Sequence, residues 1–187
     1  MFSGGTPELT AGHTIRLAKK SDSRGIQDLL VALANFEHLD PPDESAKRRI
    51  IHDIFSKRKL LRIFVAADRA SGKLVGYALY FYTYSSFLAR PSLYLEDIFV
   101  LEEFRHHGIG RDLFVKCATE AKRNGCGRME WSVLTWNEQA IDFYEKLGAK
   151  RLDEWYYYRL NRENIEKLTA ETWKTKSTSQ SLSATTS

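Results

Sequence analysis

Hydrophobic and polar positions follow two different periods along this chain, and the switches between them mark out its elements. Strand-type alternation runs through His13–Lys19. Ser21 is placed to cap a helix from Asp22 to Asn35, with Ile26, Leu29, Leu30 and Leu33 as its inner stripe. Pro41-Pro42 breaks the chain, and Glu44–Lys57 resumes helical spacing with Ile50, Ile51, Ile54 and Phe55 on one face. Arg62–Asp68 and Lys73–Tyr84 read as two strands around Ser71-Gly72, a hairpin pattern. A loop, Ser85–Ser92, leads into an apolar strand carrying Leu95, Ile98, Phe99 and Val100. Helical spacing then returns at Ile109, Leu113, Cys117 and Ala121, and Asn124-Gly125 supplies a stop. Arg128–Thr135 predicts the next strand. Asn137 caps a helix over Glu138–Leu147, which Gly148 ends. Leu152 and Trp155–Leu160 predict a closing strand, and Arg162–Thr172 a short last helix.

Composition narrows the class. The chain has 187 residues, which favours one domain, and 43% apolar content, enough for a substantial core. We expect a flexible N-terminus over 1–12, one folded domain over 13–172 and a disordered Ser/Thr-rich tail over 173–187. No apolar run approaches the roughly 18 residues of a membrane span, and the first residues lack the pattern of a secretory signal. The only cysteines, Cys117 and Cys126, have no CxxC or histidine companion, so a reduced, cytoplasmic protein without a zinc site is expected. A net charge of +4 is modest and argues against general nucleic-acid binding.

The chemistry concentrates between the central strand and the helix after it. There the chain reads Arg105-His106-His107-Gly108-Ile109-Gly110-Arg111. A glycine-bearing turn at a helix start gathers free N–H groups beside the positive helix end, a cradle for a phosphate or pyrophosphate. No Gly-Lys-Ser/Thr follows, so the turn is not a P-loop. Its form, Arg-x-x-Gly-x-Gly, resembles motif A of the GCN5-related N-acetyltransferases. Later, Asn137, Ala140, Phe143-Tyr144 and Gly148-Ala149 make an N-x-x-A-x-x-F-Y-x-x-x-G-A pattern that resembles motif B of the same family. The two motifs occur in family order. The match extends from Ile15 to Leu160 and is similar to the spermidine/spermine (diamine) branch, which includes thialysine acetyltransferases.

That resemblance implies an α/β (α+β) fold: a mixed, mostly antiparallel sheet of six to seven strands flanked by about four helices. It implies acetyl-CoA as co-substrate, no metal, a small-molecule amine as acceptor and a homodimer. Carried over by position, it implies acetyl-CoA contacts at Ile98, Phe99, Val100, Arg105, His106, His107, Gly108, Ile109, Gly110, Arg111, Asn137, Ala140, Tyr144 and Lys146. It assigns Tyr144 as general acid and Glu96 as the substrate-side carboxylate. Phe36 and Glu37 correspond to the branch's aromatic-Glu pair at the amine site, and Asp97 stands beside Glu96.

The residues support the same chemistry without the family. An alkylammonium of pKa about 10.4 must lose a proton before attack, at a cost of about 4–5 kcal/mol at neutral pH. A carboxylate can bind the ammonium and take that proton. Glu96 is the leading candidate, Glu37 the second and Glu154 a third. A phenol such as Tyr144 can protonate the departing thiolate, and strand N–H groups near Ile98 can polarise the carbonyl. Plainer readings stand beside these. Glu96-Asp97 is also what a solvated strand end looks like, Tyr144 fits a helix core position, and Glu37 fits a surface. His106 and His107 suit backbone contacts better than base catalysis.

Departures from the branch bear on the substrate. Ser85 follows Thr83-Tyr84 where the branch carries an acid, and Ser86 replaces a proline. Lys47, Arg48, Arg49, Lys57, Arg58, Lys59 and Arg62 make basic a region that is acidic in polyamine acetylases. Such a field repels polycations within about 10 Å. A lysine-like or ornithine-like amino acid, or a short diamine, therefore fits better than spermine. A protein or peptide N-acetyltransferase and a non-catalytic acetyl-CoA-binding module are the alternatives.

Overall fold

The computed structural model describes residues 12–170, which form two compact units parted after Leu134. The sequence expectations for the first residues and for the Ser/Thr-rich tail fall on 1–11 and 171–187, outside the described residues.

The first unit is a five-stranded mixed sheet in the order β1-β2-β3-β4-β5. Its strands are β1 (His13–Leu17), β2 (Arg62–Asp68), β3 (Leu74–Ser85), β4 (Arg90–Val100) and β5 (Arg128–Glu130). The first four are antiparallel neighbours, and β5 joins β4 in parallel. Apolar residues on both sheet faces explain why the centre reads as nearly continuous hydrophobic runs rather than clean alternation. On one face, α1 (Ser23–Phe36) and α2 (Glu44–Phe55) bury Ile26, Leu29, Leu30 and Ile54 against Ile63, Val65, Tyr77, Leu79 and Phe99. On the other, α3 (Ile109–Arg123) buries Ile109, Leu113, Cys117 and Ala121 against Phe64, Val75, Tyr80, Leu93 and Leu95. Leu113 and Leu95 are fully enclosed, so truncating either to Ala costs about 2–5 kcal/mol.

Local chemistry sets the element ends. Asp43 caps α2, its carboxylate accepting from the Ala46 N–H at 2.6 Å. Ser21 does not cap α1. Instead Asp22 accepts from the Lys19 N–H at 2.6 Å and from Arg16 at 2.7 and 2.9 Å, closing a 3-10 turn ahead of the helix. A carboxylate that satisfies a backbone donor and a guanidinium together is the stronger cap here. α1 and α3 end alike, with a residue of positive φ after the cap and paired backward N–H bonds. At α3 that residue is Gly125 (φ 66). At α1 it is His38 (φ 57), with Leu39 N–H bonding Ala34 O at 2.9 Å. No glycine marks the α1 end, so the sequence pattern concealed the turn.

Three strand expectations change. β3 and β4 pair as far as Ser85↔Arg90, so the expected Ser85–Ser92 loop shrinks to four residues, 86–89. Arg128–Thr135 is strand only at Arg128–Glu130, because the β4–β5 ladder stops at Tyr94↔Glu130. The aromatic run Trp155–Leu160 makes no ladder, and its side chains are exposed. Strand composition is expressed only where a neighbouring edge accepts the backbone bonds, so five strands form rather than six to seven.

The second unit carries α4 (Glu138–Lys146) and a further helix, α5, over residues 162–170. Asn137 caps α4, its Oδ1 accepting from the Ala140 N–H at 3.2 Å. Gly148 (φ 86) ends it, with Ala149 N–H bonding Tyr144 O at 3.1 Å.

Candidate active site

The centre of the first unit's site is an irregularity in β4. Leu79 pairs with Asp97, but the next pair is Tyr80 with Leu95. Glu96 is the extra residue, a β-bulge. The bulge shifts the side-chain phase by one. Before it, Leu93 and Leu95 face α3; after it, Val100 faces α3 and Phe99 faces α1. Glu96 is thereby left exposed on the strand. The bulge also bends β4 at the point where its ladder to β5 has ended, leaving the β4 edge beyond Leu95 without a described neighbour on that side.

Three carboxylates converge here. Glu37 sits on the last residue of the α1 turn, and Glu96-Asp97 on the bulge. Asp97 accepts a hydrogen bond from the Tyr77 hydroxyl at 3.2 Å. Burial raises the Asp97 carboxyl to about 6, the charges of Glu96 and Glu37 push the same way, and the Tyr77 bond opposes them. Burial likewise raises Glu37. Tyr77 is held well above the usual phenol range by burial and then by Asp97, Glu37 and Glu96. Asp97 and Tyr77 therefore each feel the nearby carboxylates. Among the described residues no Lys, Arg or His forms an ion pair with Glu37, Glu96 or Asp97.

Beyond Val100 the chain makes a 3-10 turn at Glu102–Phe104 and enters the glycine-bearing turn. His106 (φ 64) and Gly108 (φ 79) are both left-handed, curling the backbone before α3. The first helical bond is Asp112 N–H to Gly108 O at 3.0 Å, so the N–H groups of Ile109, Gly110 and Arg111 have no intrahelical acceptor. A Cβ at Gly110 would meet only Val100 Cγ2, at 3.9 Å, and one at Gly108 would meet nothing within 4 Å. The fold itself thus leaves room for a side chain at position 110. His106, His107 and Arg111 are exposed around this opening. The turn fits a pyrophosphate, and the open β4 edge fits an extended arm running back toward the bulge.

Arg105 differs from its neighbours in the turn. Its Nε donates to Val100 O at 3.1 Å, and its guanidinium lies over the Phe36 ring, 4.5 Å from the centroid, with Phe99 at 5.8 Å. The sequence reading placed Arg105 among acetyl-CoA contacts and did not foresee this stacking. Nor did it single out Tyr77, which reads as one aromatic among several in a strand.

The remaining candidates belong to the second unit. Tyr144 is buried in α4, its ring 5.3 Å from that of Phe143. Asn137 and Ala140 form the α4 start, Lys146 is exposed in its last turn, and Glu154 is exposed in the segment before α5.

The described residues thus bring a glycine-bearing strand-to-helix turn and an acidic cluster to one strand of a mixed sheet. The chain belongs to the acetyltransferase (GNAT) family, whose sequence model matches residues 26–149. It is an acetyl-CoA-dependent N-acetyltransferase. Solved structures agree on the fold. An integron cassette protein of V. cholerae superposes with a TM-score of 0.71 at 24% identity, covering 84% of this chain and 97% of that one. An aminoglycoside N-acetyltransferase in complex with CoA gives 0.67 at 21%, covering 83% and 99%. Among curated relatives, a thialysine N-epsilon-acetyltransferase of Sus scrofa is 33% identical over 167 residues, 84% of this chain and 98% of its own length. An L-ornithine N5-acetyltransferase of Arabidopsis thaliana is 42% identical over 93 residues, 50% of this chain and 41% of its own.

Proposed function

We propose that this enzyme acetylates the primary amine of a small diamine, polyamine or lysine-like amino acid by direct attack in a ternary complex. The convergence of Glu37, Glu96 and Asp97 without an internal cation carries the reading. Keeping Asp97 ionised at neutral pH, with its carboxyl at about 6, costs the fold on the order of 3 kcal/mol. A bound ammonium offsets that cost. The relatives that act on thialysine and L-ornithine support the same acceptor class.

In this reading the amides of His106–Arg111, with Ile98, Phe99 and Val100 on β4, hold acetyl-CoA, and Asn137, Ala140, Tyr144 and Lys146 contribute further contacts. Acetyl-CoA supplies an activated acyl thioester. Phe36, Glu37 and Asp97 orient the acceptor, with Glu154 as a further contact. Glu96 takes the ammonium proton, directly or through water, and backbone N–H near Ile98 donates to the carbonyl oxygen. Tyr144 returns a proton to the thiolate. Because thiolate leaves readily, that last step is worth about a hundredfold. One catalytic domain over 13–172, a homodimer and a cytoplasmic location complete the proposal; the free thiols Cys117 and Cys126 support a reducing compartment.

A thiol-release assay against thialysine, L-ornithine, L-lysine, 1,4-diaminobutane, spermidine, spermine and a histone-tail peptide tests it. A small amine should give the highest kcat/KM, and Tyr144→Phe should lower turnover by about a hundredfold or less. Preference for the peptide favours the protein-acetylating alternative. Spermine favoured a hundredfold over the amino acids overturns the argument from the basic region.

A further inference from the structure

We infer that Arg105 is a positioning residue that couples occupancy of the phosphate turn to the amine site, through Phe36. The inference rests on the acceptor reading above and adds a connection between its two halves. Arg105 is the first residue of the turn, so its backbone moves with the amides that hold the carrier. Its side chain leaves the turn. The Nε bond to Val100 O at 3.1 Å ties it to the end of β4. Its guanidinium at 4.5 Å from the Phe36 centroid and 5.8 Å from the Phe99 centroid is within cation–π range of both rings. Phe36 and Phe99 in turn pack against each other at 6.2 Å.

What these rings hold is the acidic cluster. Phe36 is the last residue of α1, and Glu37 follows it at the sharp turn made by His38. Phe99 neighbours Tyr77 at 6.5 Å, and Tyr77 donates to Asp97 at 3.2 Å. Any ordering of the turn by a bound pyrophosphate fixes Arg105, and through the stack fixes the residues on either side of Glu37 and Asp97. The extended guanidinium donates through Nε to Val100 O while its Cζ lies over the Phe36 ring. A lysine ammonium is a point charge and loses one of the two contacts. The consequence is thermodynamic coupling: CoA and the amine each tighten the other's binding by the same factor.

Calorimetry on the full chain, with CoA as an unreactive probe and the best amine of the panel, tests this. In the wild type, CoA should tighten amine binding at least fivefold, within the usual range of allosteric coupling. Arg105→Lys and Phe36→Leu should each reduce the factor below about twofold, and in Phe36→Leu CoA affinity measured alone stays within about threefold. Phe36→Tyr keeps the ring and should keep the coupling, which separates the stack from a general loss of packing. Thermal melts of all four proteins confirm folding. Coupling that persists in Arg105→Lys or in Phe36→Leu overturns the inference. So does a tenfold loss of CoA affinity in Arg105→Lys with coupling intact, which makes the guanidinium a phosphate ligand. A wild type that binds CoA but no amine of the panel overturns the acceptor reading instead.

Discussion

The two charged regions along β4 solve opposite problems with different materials. The turn after Val100 addresses an anion with backbone amides, one helix end and glycines at positions 108 and 110. The region of the bulge at Glu96 offers three carboxylates drawn from two distant stretches, Glu37 and Glu96-Asp97. The first region is assembled within a few residues of chain, and its donors do not titrate. The second exists only when α1 and β4 pack on one sheet face, and its charge depends on pH. In the proposed reading, carrier binding and proton transfer lie at different points along one strand, so substitutions can probe each in turn.

The largest separation should come from Glu96→Gln. Losing the proton acceptor should lower kcat/KM for the amine by on the order of 10²- to 10⁴-fold, with acetyl-CoA affinity by calorimetry unchanged. Wild-type turnover in that variant would transfer the base role to Glu37 or another carboxylate.

Gly110→Ala probes the other region. The new methyl meets only Val100 Cγ2 at 3.9 Å, and Ala favours a helix over Gly by about 0.5–1 kcal/mol. The melting temperature should therefore rise by a few degrees, while acetyl-CoA binds about tenfold more weakly or worse. A stabilised protein with unchanged acetyl-CoA affinity would show that nothing approaches this backbone.

The smallest effect is a shift in pH profile. As pH falls through about 6, Asp97 gains a proton and the cluster loses a charge, so kcat/KM for a cationic amine should fall. Tyr77→Phe removes the bond that favours the ionised form. The acid limb should then move to higher pH. Stability runs the opposite way. The folded Asp97 value lies above that of an unfolded aspartate, about 3.9, so its contribution to stability is full below that pH and is lost as pH rises through about 6. An acid limb that stays in place in Tyr77→Phe separates Asp97 from amine binding.

Much of the anion-binding half was readable from the chain. Gly108, Gly125 and Gly148 each stand at a positive φ that their helix ends need, and Asn137 caps α4 as its position before an apolar stripe foretold. The acceptor half was readable only as separate acids. Glu96 carries no mark of a bulge, since the Leu79/Tyr80 register shift arises from pairing with a strand outside the local window. His38 hides the end of α1 because a histidine rarely signals a left-handed cap. The run Trp155–Leu160 misleads in the opposite direction, with strand-type residues that form no ladder.

The sequence by itself determined the Asn137 cap of α4, the glycine-bearing turn and the apolar faces of α1 and α3, because each depends on bonds or spacing spanning a few residues. The tertiary structure alone decided that the charge of Glu37 reaches Asp97, that Tyr77 bonds Asp97, that Glu96 is set out of register, and that Arg105 lies over Phe36. Those contacts join segments far apart in the chain, and their geometry follows from strand register and helix packing, which no local pattern of residues encodes.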